Sequence, residues 1–255
     1  MSLFNDDERA RYARHIALKE IGGAGQQRLK RARVALVGAG GLGAPAALYL
    51  AAAGIGRLRM IDDDVVSPSN LQRQVLYRTD DVDALKVERA AAHLSALNPH
   101  CEIETRVERL DAGNAIALLR GCDVILDGSD SFATRFVVND AALQMKAPLV
   151  SGAVGRWDGQ VGVFDRARHA DAPCYRCFVP EAPPDADACN VLGIVGALTG
   201  LVGSVMALEA IKLIVGAGRP LTGRLLLIDG LTMTTRTVTL SRDPDCPACK
   251  ENERS

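Results

Sequence analysis

The chain reads as an α/β protein. Its core is a Rossmann-like parallel sheet, continued by antiparallel C-terminal strands, with helices on both faces. Three observations predict this. A short apolar strand runs through a glycine loop into an Ala/Leu-rich helix at "RVALVGAGGLGAPAALYLAAAG" (33–54). Apolar strands then alternate with helical segments as far as residue 152, the pattern of a parallel sheet covered on both sides. Beyond residue 150 the pattern changes: one strand reads as antiparallel, and after a long polar loop and a glycine-faced helix two more short strands follow.

Taken in order, residues 6–30 are charged and helical, and "RVALVG" (33–38) is the first strand. The helix at 41–54 stops on a glycine, as helices commonly do. "RLRMID" (57–62) is the second strand. A helix at about 82–97 ends before Asn98-Pro99, because a residue before proline avoids the helical region. Its Val87, Ala90, Ala91, Leu94 and Leu97 make one apolar stripe, with Lys86 on the stripe's edge. "CEIETRV" (101–107) and "DVILD" (123–127) are strands with a helix between them. "SFATRFVVNDAALQM" is helical and "APLVSG" is a strand. "GQVGVF", "RLLLID" and "TRTVTL" are the antiparallel additions. A polar, Pro-rich stretch fills 166–190. Without repeats or a low-complexity linker, residues 1–255 read as a single domain. Its parts are N-terminal helices (1–30), a nucleotide-binding part (31–150) and a C-terminal part (151–255).

Charge narrows the partners. Thirty Lys and Arg against 31 Asp and Glu leave a net charge of -1, so no bulk field draws the chain to nucleic acid or an anionic membrane. The start, "MSLFNDDERA", has no apolar signal region, and a cytoplasmic location is expected. Val191 to Leu208 is uncharged and long enough to invite a membrane reading. Its Gly193, Gly196, Gly200 and Gly203 share one helical face, however, and Glu209 and Lys212 interrupt the run. We therefore expect a buried helix whose glycine face admits another backbone.

The glycine loop "GAGGLG" places Gly38, Gly40, Gly41 and Gly43 between strand and helix. There small residues admit a phosphate and the helix N-terminus favours its charge. Asp62 ends the next strand, where a carboxylate can accept from a ribose hydroxyl. No Gly-Lys-Ser/Thr follows, so this is not a P-loop. In "SPSNLQRQV" (67–75), Arg73 and several amides crowd the region past the ribose. Lys86 and Arg135 add cations, and Asp130 lies beyond a strand's carboxyl end. Cations with a loose carboxylate at strand ends point to a triphosphate and Mg²⁺. The competing readings are solvated surface charges and a Rossmann-fold oxidoreductase, the latter resting on the glycines alone.

Seven cysteines in a chain with no secretory signal favour metal or catalysis over disulfides. Cys174 with Cys177, and Cys246 with Cys249, form two CxxC knuckles that match a tetrahedral structural zinc site, with a redox pair as the rival. Cys101 and Cys122 are expected to be structural. Cys189 precedes the glycine-faced helix, whose dipole would favour a thiolate. A plain packing cysteine is the alternative.

Together "RYARH", "VALVGAGGLG", "IDDDVVSPSNLQRQ", "DGSD", "CYRC" and "CPAC" make the chain resemble the MoeB/ThiF family, bacterial relatives of the ubiquitin-activating enzymes, along nearly its whole length. The resemblance implies ATP-dependent adenylation of the C-terminal glycine of a ubiquitin-like sulfur carrier protein. The molybdopterin-synthase type is favoured, and the thiamin-pathway carrier with Cys189 in sulfur transfer is the alternative. It implies Asp62 as ribose ligand, and Asn70, Arg73 and Lys86 on the phosphates. It implies Asp130 on Mg²⁺, Zn²⁺ on the four cysteines, and a homodimer in which Arg14 reaches the partner's ATP. No rhodanese-like extension follows residue 249, so a separate sulfur donor, a cysteine desulfurase or rhodanese, is expected. His15 and Ser131 depart from the family's usual Gln and Asn.

Overall fold

The computed structural model describes residues 4–183 and 193–253. One eight-stranded sheet organises them, in the order β3-β2-β1-β4-β5-β6-β7-β8. Strands β1 (Arg33–Val37), β2 (Arg57–Ile61), β3 (Glu102–Arg106), β4 (Val124–Asp127) and β5 (Leu149–Gly155) run parallel. Strands β6 (Asp158–Phe164), β7 (Arg224–Asp229) and β8 (Thr234–Thr239) extend the sheet antiparallel. Val34, Leu36, Ile125, Leu126 and Val150 are fully buried, as strands with helices on both faces require.

The helical region expected at 6–30 is three helices, α1 (Asp6–Arg11), α2 (Ala13–Ile16) and α3 (Gly22–Arg31). Asn5 opens α1 with a full capping box against Glu8. Helix α4 (Gly43–Ala53) ends on left-handed Gly54. Helix α5 (Lys86–Leu97) begins later than 82, because Thr79–Asp81 forms a separate 3-10 turn and Asp83 takes a positive φ of 69°. Helix α6 (Ala115–Leu119) precedes β4, and α7 (Phe132–Met145) follows it. Short α8 (Tyr175–Phe178) carries the first knuckle and α10 (Pro247–Glu253) the second.

The apolar run after 190 forms α9 (Gly196–Val215), displaced toward the C-terminus from the expected Val191 to Leu208. It has the length and composition to cross a membrane, but half of that apolar window is buried within the protein. Val202, Met206, Ala207 and Ala210 are fully buried in the main core, each large side chain contributing about 1.5–3 kcal/mol. Glu209 stays inside the helix because Lys212 Nζ (2.5 Å) and the Leu221 N–H (2.7 Å) satisfy it. The glycine face is used at two points. A Cβ at Gly196 would strike the Gln72 carbonyl, and one at Gly203 would strike Leu42 and Pro45. Gly200 meets nothing within 4 Å, and Gly193 lies before the helix.

Candidate functional site

The carboxyl ends of β1, β2 and β4 bring most of the sequence-predicted residues to one edge of the sheet. The glycine loop turns between β1 and α4. A Cβ at Gly43 would run into the Gly38 carbonyl, and one at Gly38 would sit 3.1 Å from Gly128 backbone, so the loops after β1 and β4 pack directly together. Gly41 faces the aliphatic stem of Arg73, 3.5 Å from where its Cβ would lie. This is a cradle that side chains would fill.

Asp62 leaves β2 half-buried. Its Oδ2 accepts from the Ala39 N–H at 2.7 Å and its Oδ1 from the Asp64 N–H at 2.9 Å. Burial raises its carboxyl above the ordinary value, against the pull of the Ala39 N–H and the Lys86 charge. Lys86 is more buried than its place on the stripe's edge foretold. Its Nζ reaches Asp64 Oδ2 at 2.7 Å, and Asp64 is 67% exposed. Backbone bonds Lys86 N to Asp64 O and Val66 N to Ala84 O, both 2.9 Å, sew the two ends of this loop together.

In the "SNLQRQ" turn, Asn70 accepts from the Ser67 N–H at 3.3 Å, and Arg73 Nη1 donates to the Ser69 carbonyl at 3.0 Å. Asn70 therefore shapes its own turn. Arg73 is half-buried, with its charge on no acidic partner among the described residues. Two further residues support the cradle: Tyr77, unremarked in the sequence, and Gln74, one of the amides of the 67–75 stretch. The Tyr77 hydroxyl donates to the Ala39 carbonyl at 2.7 Å, and buried Gln74 lies beside Gly40. Their signal was an amide and an aromatic directly after a glycine-loop partner.

Asp130 lies exposed in the turn after β4. A Mg²⁺ site of one or two carboxylates completed by phosphate oxygens suits such a donor. Asp62, Asp63 and Asp64 form a separate acidic group with carboxylate oxygens within 4.8 Å of one another. Arg135 is not available as a free cation: it is buried, and its guanidinium holds the Ser129 carbonyl at 2.6 Å and Ser151 Oγ at 3.3 Å. Asp127 was missed. It ends β4 fully buried, with Oδ1 on the Ser129 N–H and hydroxyl, and its place was marked by a carboxylate closing an apolar strand. Ser131 caps α7 by accepting from the Thr134 N–H, a role open to serine and asparagine alike. Arg14 is exposed on α2 and makes no hydrogen bond or ion pair with these loops among the described residues. His15 Nδ1 meets Gln26 Oε1 at 3.0 Å.

The four knuckle cysteines converge, Sγ atoms within 4.8 Å of one another and nearest pairs at 3.6–3.8 Å. Four sulfurs about 2.3 Å from a tetrahedral zinc would stand about 3.8 Å apart, so this cage fits the ion. A hydrogen bond from the Cys174 thiol is the main pull that brings Cys177 down to about 5. Cys101 and Cys122 are free thiols, and burial pushes Cys101 up to about 12, as inert packing cysteines require. Cys189 lies outside the described residues.

Known proteins resemble this chain over most of its length. The chain is 47% identical over 247 residues to a sulfur carrier protein adenylyltransferase of Thermus thermophilus, covering 95% of this chain and 91% of that one. It is 47% identical to the SAMP-activating enzyme E1 of Haloferax volcanii, over 94% of this chain and 88% of the relative. It is 46% identical to a probable adenylyltransferase/sulfurtransferase MoeZ of Mycobacterium tuberculosis, covering 98% of this chain but 64% of that protein. The microcin C7 biosynthetic enzyme MccB, solved with N-formylated MccA, shares the fold at a TM-score of 0.84 and 22% identity, over 95% of this chain and 76% of MccB. Residues 12–248 match the ThiF family model, a span from the start of α2 to the last knuckle that takes in the whole nucleotide edge, and the chain belongs to the ThiF family of E1-like adenylyltransferases.

Proposed function

We propose that this chain uses ATP to adenylate the C-terminal glycine carboxylate of a small ubiquitin-like sulfur carrier, of the molybdopterin-synthase small-subunit type, and releases pyrophosphate. The observation that carries the reading is the meeting of the glycine cradle, Asp62, Arg73, Lys86 and Asp130 at one sheet edge. The carrier carboxylate is already ionised near pH 7, so the reaction needs no general base. The barrier is the approach of one anion to another and the charge on departing pyrophosphate. Arg73 and Lys86 are preorganised to neutralise and orient that charge, and the N-terminus of α4 adds backbone donors. Mg²⁺ on Asp130 would offset further triphosphate charge.

The C-terminal strands suit the carrier. The pairings Gly155 with Asp158, Asp158 with Asp229, and Asp229 with Thr234 put both hairpin turns at the nucleotide end of the sheet. Trp157, Leu231 and Met233 are exposed on those turns. Beside them a cleft of about 720 Å³, lined by Val154, Asp158, Gln160, Leu227 and Arg236 among others, offers room for an extended tail. A homodimer supplying Arg14 in trans accords with that residue's exposure on α2 and with exposed Tyr49, Leu201 and Leu208 on α4 and α9.

The test mixes the protein with molybdopterin-type and thiamin-type carriers, follows ATP–pyrophosphate exchange, and weighs the product by mass spectrometry. A carrier acyl-adenylate is expected. Exchange with the thiamin carrier alone would overturn the choice of pathway, and no exchange with any carrier would overturn the reading. Mixing Arg14→Ala chains with Lys86→Ala chains should restore part of the exchange if Arg14 acts across a dimer. Complete inactivity of the mixture, with subunit exchange verified, would remove Arg14 from that role.

A further inference from the structure

The turn that carries Asp130 is held from behind by buried polar groups that the adenylation chemistry does not itself use. Asp127 is 0% exposed. Its Oδ1 accepts from the Ser129 N–H at 3.0 Å and from the Ser129 hydroxyl at 2.6 Å. From the other side, Arg135 Nη2 donates to the Ser129 carbonyl at 2.6 Å, while Nη1 reaches Ser151 Oγ on β5 at 3.3 Å. Ser131 is the N-cap of α7. The residues on both sides of Asp130 are therefore anchored, so an exposed carboxylate stands on a fixed backbone.

Arg135 is in turn braced by the first cysteine knuckle. Tyr175 lies between Cys174 and Cys177. Its N–H donates to buried Asn139 Oδ1 at 2.8 Å, and its ring packs 6.1 Å from Phe136 and 5.6 Å from Phe164. Burial raises its phenol, and the charge of the neighbouring Arg135 works against that rise. Arg176 grips Asp140 with Nε at 3.0 Å and Nη2 at 2.9 Å, and lies 4.3 Å over Phe136. Residues 135, 136, 139 and 140 share one side of α7. The knuckle holds this side, and Arg135 passes the constraint to Ser129. Burying a guanidinium is costly, and an apolar side chain of similar volume is often as stable. A buried guanidinium that ties the Ser129 carbonyl to the Ser151 hydroxyl makes most sense where that peptide's position matters.

We propose that Arg135 and Tyr175 are positioning residues for the Asp130 carboxylate, through which the four-cysteine cage sets the metal affinity of the ATP site. This rests on reading Asp130 as the ligand of the ATP-bound metal. Groups behind a metal ligand commonly change metal affinity by about 10–100-fold when altered.

The test uses the full chain with ATP, and Mn²⁺ as an EPR-visible probe. Arg135→Lys keeps the charge but loses the paired donors to Ser129 and Ser151, and Tyr175→Phe keeps the ring. Arg135→Lys should weaken Mn²⁺ binding in the presence of ATP by about tenfold, and Tyr175→Phe by about threefold. Zinc content and ATP affinity without divalent cation should not change. Unchanged Mn²⁺ affinity in both variants would overturn the proposal. So would metal-free ATP affinity falling in step, which marks general loosening. Should Arg135→Lys fail to fold, Tyr175→Phe decides alone. Asp130→Ala must abolish the ATP-dependent Mn²⁺ signal, since its survival would place the metal elsewhere and sink the idea. A wild-type protein that binds ATP and Mn²⁺ in this way but exchanges no pyrophosphate with any carrier would refute adenylation and leave the positioning claim standing.

Discussion

Two loops meet at the carboxyl edge of the sheet and use charge in opposite ways. After β2, Asp64 is 67% exposed and Arg73 donates only to a carbonyl in its own turn. Lys86 is buried, yet its acidic partner is in solvent. These charges can be handed to an incoming triphosphate at small cost, because a partly exposed pair is weak to begin with. After β4, Asp127 and Arg135 are 0% and 6% exposed, and both are committed to Ser129. The first loop keeps its charges exchangeable for a ligand, whereas the second spends Asp127 and Arg135 on holding the backbone that carries exposed Asp130.

The largest expected effects separate the two loops. Arg73→Ala or Lys86→Ala should lower pyrophosphate exchange by about 10²–10³, as losing one preorganised donor does. Asp130→Ala should cost at least as much. All three should unfold in denaturant close to the wild-type midpoint. Asp127→Ala should do the reverse first. Losing a buried carboxylate whose Oδ1 accepts two hydrogen bonds from Ser129 should destabilise by about 1–3 kcal/mol. Equal stability losses on both loops would erase the distinction, and normal exchange in the first three variants would refute their place in the site.

The same contrast explains what was legible in the sequence. Gly38, Gly43 and Asp62 occur at fixed offsets from a strand and a helix, so local pattern revealed them, and the parallel sheet followed from the alternation of elements. Arg135 looked like one more phosphate cation because sequence gives a side chain's charge and not its direction. Asp127, Tyr77 and Gln74 act through contacts with Ser129, Ala39 and Gly40, and no spacing rule encodes such pairs. The expected start of α5 at 82 failed for a related reason. Apolar periodicity ran on through 82–85, but Asp81 and the bond from the Lys86 N–H to the Asp64 carbonyl tie that stretch into a turn.

Asp81 gives an intermediate test of how firmly the first loop is anchored behind Lys86. It is buried and accepts from the Arg78 N–H at 2.8 Å and from His93 Nε2 at 2.7 Å. Burial alone would raise its carboxyl, but the His93 hydrogen bond, the Arg78 N–H and the charges of His93 and Arg89 outweigh it and hold the group below its usual value. A depressed carboxyl stabilises the fold above its unfolded pKa of about 3.9, and that contribution disappears as pH falls through the folded value. Asp81→Asn should therefore cost about 1.5–3 kcal/mol at pH 7. The gap from wild type should close on acidification below about pH 4. Urea unfolding across that range measures it, and a gap that is constant with pH would mean the carboxylate charge is irrelevant to the anchor.

The smallest effect probes the exchangeability itself. If Asp64 only holds Lys86 until ATP arrives, Asp64→Asn should free the lysine without moving it. The backbone bonds from Lys86 N to Asp64 O and from Asp64 N to Asp62 Oδ1 do not depend on the Asp64 side chain. Breaking an exposed pair costs little, so ATP should bind about two- to fourfold more tightly to the variant. Removing a negative charge from beside the triphosphate acts in the same direction. Higher salt should shrink the difference, since a pair with a solvent-exposed member is screened. The opposite result has a distinct meaning. The Asp62, Asp63 and Asp64 oxygens lie close enough together to share a cation, so a tenfold loss of ATP affinity that appears only with divalent metal present would make Asp64 a metal ligand. The first loop would then hold its charges as tightly as the second, and the contrast between them would fall.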